Sequence, residues 1–245
     1  MNLTCDHSKT YKEKKLRNIP HIMRLRDIER LIRENKGGDV HRYADLGCSN
    51  GFLTNRIGRI LKADQIIGYD HNRENLACAS NQYSDITFLF TNFNEKGAIK
   101  EKSDFVTCFE TLEHVGEPQI AVHNIINALN EKGTAVISVP IEIGVRGLLK
   151  LIVKTFVYKY SMEELPEGRA NFGRYLWALL TGERISRFRD KRCGWGTHFG
   201  FDYRDIDETL KEERIEYTAK NCGFTRFYIV RKTRGDIEKH NVTDR

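Results

Sequence analysis

Proline is scarce in these 245 residues, with four in all, and the six cysteines include no CxxC pair. So few prolines beside 19 glycines exclude a collagen-like chain or a proline-rich linker. Cys5, Cys48, Cys78, Cys108, Cys193 and Cys222 stand far apart and read as reduced thiols, not as the staples of a small secreted scaffold. No run of 18 apolar residues exists, so no spanning helix is expected. Residues 1–18 lack the apolar core of a signal peptide, which points to a cytoplasmic protein, with the inner face of the membrane as the one extension of that expectation. No segment recurs at a fixed period, which excludes solenoids and propellers. Charge of one sign is not in large excess either: 40 Lys and Arg against 34 Asp and Glu give +6, too mild to announce nucleic acid by itself.

What is present is a composition with 40% hydrophobic and 30% charged residues, enough to fold one large domain, or one ordinary domain with an insertion. Ile22, Leu25, Ile28, Leu31 and Ile32 recur at helical spacing between Pro20 and Gly37–Gly38. Short apolar runs then alternate with helical patterns. Strands are expected at 42–46, 65–69, 86–90, 104–109 and 134–139, with helices at 51–63, 73–80 and 118–130. Five strands separated by helices predict an α/β fold, a parallel sheet wound on both faces. A helix at 203–211 and strands at 214–219 and 225–232, turning at 221–223, predict a C-terminal antiparallel hairpin; one helix through Cys222 is the alternative. The organisation expected is a loosely ordered basic N-terminus (1–19), a core (20–140), an insertion (141–200), a completion of the core sheet (201–235) and a tail (236–245).

The strongest signal is YADLGCSNGFLT, 43–54, where a strand ends near Asp45 and a loop carrying Gly47, Cys48, Ser49 and Gly51 leads into a helix. The backbone must turn sharply there, and Gly47 permits dihedrals that other residues resist. Asp70 ends the next strand, nineteen residues after Gly51. An acidic residue at that place sits beside the first loop and can accept hydrogen bonds from both hydroxyls of a ribose, which makes a nucleoside site. The loop is not a dinucleotide GxGxxG, because Ser49 occupies the place of the middle glycine. That spacing disfavours a Rossmann dehydrogenase; a glycine turn in a nonbinding α/β domain is the bland alternative.

Asp45, Gly47 and Gly51 together resemble the first loop of the class I S-adenosylmethionine (SAM) dependent methyltransferases, with Ser49 a departure. SDFVTCFETLEHVGEP, 103–118, resembles the fourth-strand segment of the same superfamily, in which E-x-x-E-H-V follows the strand. The resemblance covers about 43–140. It implies a Rossmann-like methyltransferase sheet, SAM as cofactor, Asp45, the 47–51 loop, Asp70 and Glu110 around it, and Asn92 near the adenine.

Ligands of open α/β sheets bind beyond the carboxyl ends of the strands, so Asp45, Asp70, Asn92, Glu110 and Pro140 are expected to ring one cleft. A hydroxyl acceptor gains from a general base, and imidazole titrates near neutral pH, which makes His114 and His198 the catalytic candidates. The bland reading of His114 is a cap or a loop contact. Glu110, Glu113 and His114 also form an ExxEH set able to offer a divalent metal three ligands, as in small-RNA 2'-O-methyltransferases and ubiquinone-biosynthesis O-methyltransferases, which this segment resembles.

Residues 145–200 hold eleven Lys and Arg against five acids, a local +6. Arg146, Lys150, Lys154 and Lys159 fall at helical spacing among apolar residues, the pattern of a lid helix or of peripheral membrane contact through 145–160. Tyr158, Tyr160, Phe172, Tyr175, Trp177, Phe188, Trp195 and Phe199 lie among the basic residues, a mixture that can stack a base or a sugar ring and hold an anion. The HxGFD at 198–202 resembles the acceptor lids of methyltransferases found with bacterial surface-polysaccharide synthesis. The expectation is an enzyme that methylates an oxygen of a glycan, lipid-linked or other small-molecule acceptor. An RNA 2'-O-methyltransferase using a divalent metal and a noncatalytic SAM-binding partner subunit are the alternatives.

Overall fold

A computed structural model describes Tyr11 and residues 18–157, 172–189 and 200–233. After helix α1 (Ile19–Asn35), strands and helices alternate as β1 (Arg42–Leu46), α2 (Phe52–Leu61), β2 (Gln65–Asp70), α3 (Arg73–Gln82), β3 (Thr87–Phe90), β4 (Ser103–Phe109), α4 (Pro118–Asn127) and β5 (Leu129–Pro140). Helices α5 (Gly144–Val157) and α6 (Phe172–Thr181) and a 3-10 turn (Ser186–Phe188) follow, then α7 (Tyr203–Glu212), β6 (Glu216–Cys222) and β7 (Thr225–Arg231).

The seven strands form one sheet in the order β3-β2-β1-β4-β5-β7-β6. β1 to β5 run parallel, and β7 returns antiparallel between β5 and β6. Reversal of strand order at β1 and β4 opens a crevice at their carboxyl ends, the place where such sheets take ligands. Successive side chains on a strand point to opposite faces. Ala44, Leu46, Val106 and Cys108 accordingly pack against α4 and α7 through Val122, Ile125, Ile206 and Leu210. Tyr43, Phe105, Val136 and Phe227 pack against α1 and α2 through Ile28, Ile32, Ile57 and Leu61. Among the described residues, Cys48, Cys78, Cys108 and Cys222 are free thiols, and no helix is long and apolar enough to cross a membrane.

Two expected boundaries move. The helix expected to reach residue 130 stops at Asn127, because Ser103 pairs with Leu129 and Asn130 donates to Asp104 Oδ1 at 2.8 Å, which starts β5 early. The strand expected from 214 begins at Glu216, because Arg214 takes φ 53° in the turn that closes α7 through Arg214 N to Lys211 O. The hairpin itself excludes a helix through Cys222.

The described part of the insertion has a small core of its own, made by Leu151, Tyr175, Ala178, Leu179 and Ile185. It is stapled to α7: Arg184 pairs with Asp205 and Glu208, and Arg204 donates to the carbonyls of Gly182 and Glu183. Asp202 caps α7 at Arg204 N and also accepts from Ile185 N.

One buried amide fixes the loop after β3. Asn124 on α4 accepts from Gly97 N and Ala98 N and donates to the carbonyls of Phe93 and Glu95, so all four of its bonds are made. Replacing Asn124 with Ala orphans these backbone groups beneath a buried position and should cost about 2–4 kcal/mol, read as a lower urea midpoint at unchanged m-value.

Candidate active site

The chain leaves β1 through a loop of left-handed residues: Gly47 at φ 85°, Ser49 at 48° and Gly51 at 75°. Glycine is needed at the first, where an added Cβ would stand 2.0 Å from Thr111 Oγ1. At Gly51 it would meet the Phe88 ring at 2.7 Å. Ser49 holds the strained middle position because its N–H donates to Asp70 Oδ2 at 2.8 Å, and Asn75 Nδ2 reaches its hydroxyl at 3.4 Å. Asp70 Oδ1 accepts from Asn72 N at 2.8 Å, and Asn72 in turn caps α3. The loop amides of Gly47 and Cys48 both donate to Tyr69 O.

A cavity of about 300 Å³ opens over this loop. Asp45, Gly47, Cys48, Ser49, Asn50 and Phe52 form its floor, and Asp70 to Asn72 with Asn75 form one wall. Phe93, Phe109, Glu110, Thr111 and His114 form the other. Eight of the sequence-selected residues, Asp45, Gly47, Cys48, Ser49, Asp70, Glu110, His114 and, through its turn, Gly51, are thus gathered at one place. Cys48 is buried at the cavity, and burial pushes its thiol up. Asn92 does not line this cavity. Its side chain is turned to Glu95 Oε1 and to Asn94, and the next residue, Phe93, faces the space instead. Pro140 is also outside the lining; it pairs with Thr225 at the end of β5. His198 lies outside the described residues, as do Tyr158, Lys159, Tyr160, Trp195 and Phe199 and the side chains of Lys150 and Lys154.

The three ExxEH residues do not converge. Their spacing would bring them together on a helix, but residues 111–114 form a turn closed by His114 N to Thr111 O. Glu110, at φ 49°, gives its carboxylate to Arg24 Nη1 at 2.8 Å and to Ser138 Oγ at 3.1 Å. Glu113 is 1% exposed, while His114 is half-buried at the cavity. Among the described residues no group of three or more His, Cys, Asp or Glu is placed to hold a metal ion, so the residues present do not fit one.

Two contributors carry no motif. Tyr11 lines the cavity, stacked on Phe52 with ring centroids 5.4 Å apart and planes at 14°. Burial raises its hydroxyl pKa, Arg24 opposes that, and Glu110 and Asp45 add to it. Arg24 holds Glu110 while its own Nε is buried without a hydrogen-bond partner. The signals available were slight: Tyr11 is the sole aromatic among residues 1–18, and Arg24 borders the apolar stripe of α1.

A family model described as a methyltransferase domain matches residues 15–204. The ubiquinone biosynthesis O-methyltransferase of Glaesserella parasuis is 29% identical over 141 residues, 54% of this chain and 57% of that one. The mitochondrial ubiquinone biosynthesis O-methyltransferase of Saccharomyces cerevisiae is 26% identical over 155 residues, 61% of this chain and 47% of that one. The chain thus spans about half the length of these curated relatives. Among solved structures, magnesium protoporphyrin IX methyltransferase from Synechocystis PCC 6803, with bound SAH, superposes at a TM-score of 0.57 over 92% of each chain. At 12% identity that likeness is one of fold.

Beneath the cavity Asp45 is buried, with Thr54 Oγ1 and Thr107 Oγ1 donating to its two oxygens at 2.6 and 2.7 Å. Burial raises its pKa from 3.8 to about 6; the two threonines oppose the rise and the Asp70 charge adds to it. The native protein therefore holds this proton more readily than the unfolded chain, and the stability so gained is full below about pH 4 and lost as pH rises through about 6. Asp45→Asn removes that loss. Its unfolding free energy relative to the native sequence should move in the variant's favour by up to about 3 kcal/mol between pH 4 and 7, at about 1.4 kcal/mol per pKa unit. Denaturant titrations across that range measure it, and a pH-independent difference contradicts it.

Proposed function

The chain belongs to the methyltransferase-domain family, as a class I SAM-dependent methyltransferase, and on that premise we propose that it methylates an oxygen of a small-molecule, glycan or lipid-linked acceptor. The observation that carries this reading is the placement of His114 at the same cavity as Asp70 and the 47–51 loop. A base at the cavity is what a hydroxyl acceptor needs, and two relatives that match over half of this chain or more are named as O-methyltransferases.

The cradle fits the cofactor. Gly47 has no room for a Cβ, and Asp70 accepts from Ser49 N on Oδ2 and from Asn72 N on Oδ1, with His71 Nδ1 3.4 Å from Oδ1, which leaves Oδ2 a further acceptor position for a ribose hydroxyl. When bound, SAM supplies a methyl group on a positively charged sulfur. Asp45 and Asp70 put negative charge at the cavity, the sign that suits a sulfonium, while Glu110 is balanced by Arg24. Tyr11 and Phe52 cover one side and exclude water. Phe93 offers an aromatic face where Asn92 was expected to offer an amide. His114 would take the proton of an acceptor hydroxyl at this cavity, the task a transfer to oxygen sets for the chain's own residues.

The insertion supplies acceptor contacts. Val145, Arg146 and Leu149 are exposed on α5, which supports an acceptor presented at a lipid surface.

The test supplies SAM with a labelled methyl group to the purified protein together with separated lipid, oligosaccharide and RNA fractions. Label in an ether linkage in lipid or oligosaccharide supports the reading; label in RNA ribose replaces it with the nucleic-acid alternative. On the acceptor so found, His114→Ala should slow transfer by roughly 10²- to 10⁴-fold with SAH affinity unchanged. Full turnover in that variant would remove His114 as the base.

A further inference from the structure

We propose that Arg189, at the end of the insertion's 3-10 turn, is a positioning residue that sets His114 by gripping the backbone on both sides of it. This rests on the reading of His114 given above. Arg189 Nη2 donates to Glu113 O at 2.9 Å and to Val115 O at 2.5 Å. One guanidinium nitrogen thus spans the residue that faces the cavity, and both flanking residues are buried.

The grip is built from three further contacts. The guanidinium carbon stands 5.4 Å from the centroid of the Phe201 ring. Gly200, with φ of +71° and no Cβ, lies directly against the Arg189 backbone: an added Cβ would lie 2.5 Å from Arg189 N. Asp202 then ties the same segment to Ile185 N and to the start of α7. Position at His114 is therefore linked to the start of α7 through Arg189, Gly200 and Asp202.

The cost of this arrangement shows that it is not generic packing. Among the described residues Arg189 Nε and Nη1 have no hydrogen-bond partners, and burial lowers the guanidinium pKa while the Glu113, Asp205, Glu117 and Glu142 charges oppose that. A half-buried guanidinium that uses one nitrogen of three gives up hydration that an apolar side chain would not lose. What only the arginine supplies is the pair of bonds to residues 113 and 115. The insertion's seat and the base's position become one event, so acceptor contacts on the insertion are felt at His114.

The experiment uses the full chain with SAH bound, and needs no acceptor. Hydrogen exchange of amides 112–116 should quicken by roughly tenfold or more in Arg189→Ala, as expected for losing two charge-assisted bonds. In histidine-labelled protein the His114 imidazole signal, assigned by its disappearance in His114→Ala, should shift and broaden while the other histidine signals stay. Arg189→Lys, which keeps a cationic donor nitrogen on a differently shaped side chain, should restore part of both. Gly200→Ala should produce the same pattern from the other side of this contact, which covers the case where Arg189→Ala does not fold. Unchanged exchange and an unmoved His114 signal in Arg189→Ala, or in Gly200→Ala where Arg189→Ala does not fold, would overturn the proposal. If His114→Ala retains full turnover, the general-base reading fails by itself, and these readouts still judge the grip.

Discussion

Two strand ends meet at the carboxylate of Asp70, and the bonds it accepts from Ser49 N and Asn72 N hold the crevice open in a usable form. Ser49 at φ 48° is a strained position for a residue with a Cβ, costing of order 1 kcal/mol or more. The bond to Asp70 offsets that strain and orients the loop amides between β1 and α2. The same carboxylate fixes Asn72, which caps α3 through Glu74 N and Asn75 N. A single side chain thus sets the loop, the next helix start and the acceptor atoms left for a ribose. Only a sheet whose order reverses at β1 and β4 brings these groups to one edge.

Around that point the fold spends buried polar groups to keep the site stiff. Asp45 joins β1 to α2 and β4 through Thr54 and Thr107, and Tyr43 shares the Thr107 hydroxyl. Asn124 holds the 93–98 loop from behind, and Arg24 on α1 holds Glu110 at the end of β4. Asp45 and Asn124 lie below the surface and the Arg24–Glu110 pair is partly exposed; in each case the defined partners specify one geometry where apolar packing would tolerate several. The insertion adds a separate small core and reaches the site through Arg189.

The core sheet and the cofactor-facing loop are legible in the sequence because both rest on local rules. Strand alternation, the glycine turn and an acid at the end of β2 need no knowledge of the rest of the chain. What is not legible is set by distant partners. Asn92 and Phe93 are adjacent and both suit a base, and which one faces the cavity is decided by Asn92 turning to Glu95 and Asn94. The ExxEH spacing reads as a ligand set only if the segment is helical, and the turn at 111–114 sends its members apart. Tyr11 and Arg24 arrive from regions with no motif, and their roles exist only once Tyr11 stacks on Phe52 of α2 and Arg24 of α1 reaches Glu110 after β4. The start of β6 shifts because Arg214 adopts a left-handed turn that pattern alone does not demand.

The central claim is that the cavity over the 47–51 loop is the SAM site and that Asp70 is its ribose acceptor. Calorimetric titration of SAH into the native protein and into Asp70→Asn measures this without any acceptor. Asparagine can still accept from Ser49 N but turns one acceptor into a donor, so affinity should fall about 10- to 100-fold, the worth of one charge-assisted hydrogen bond. Equal affinity for SAH in the two proteins would contradict the account.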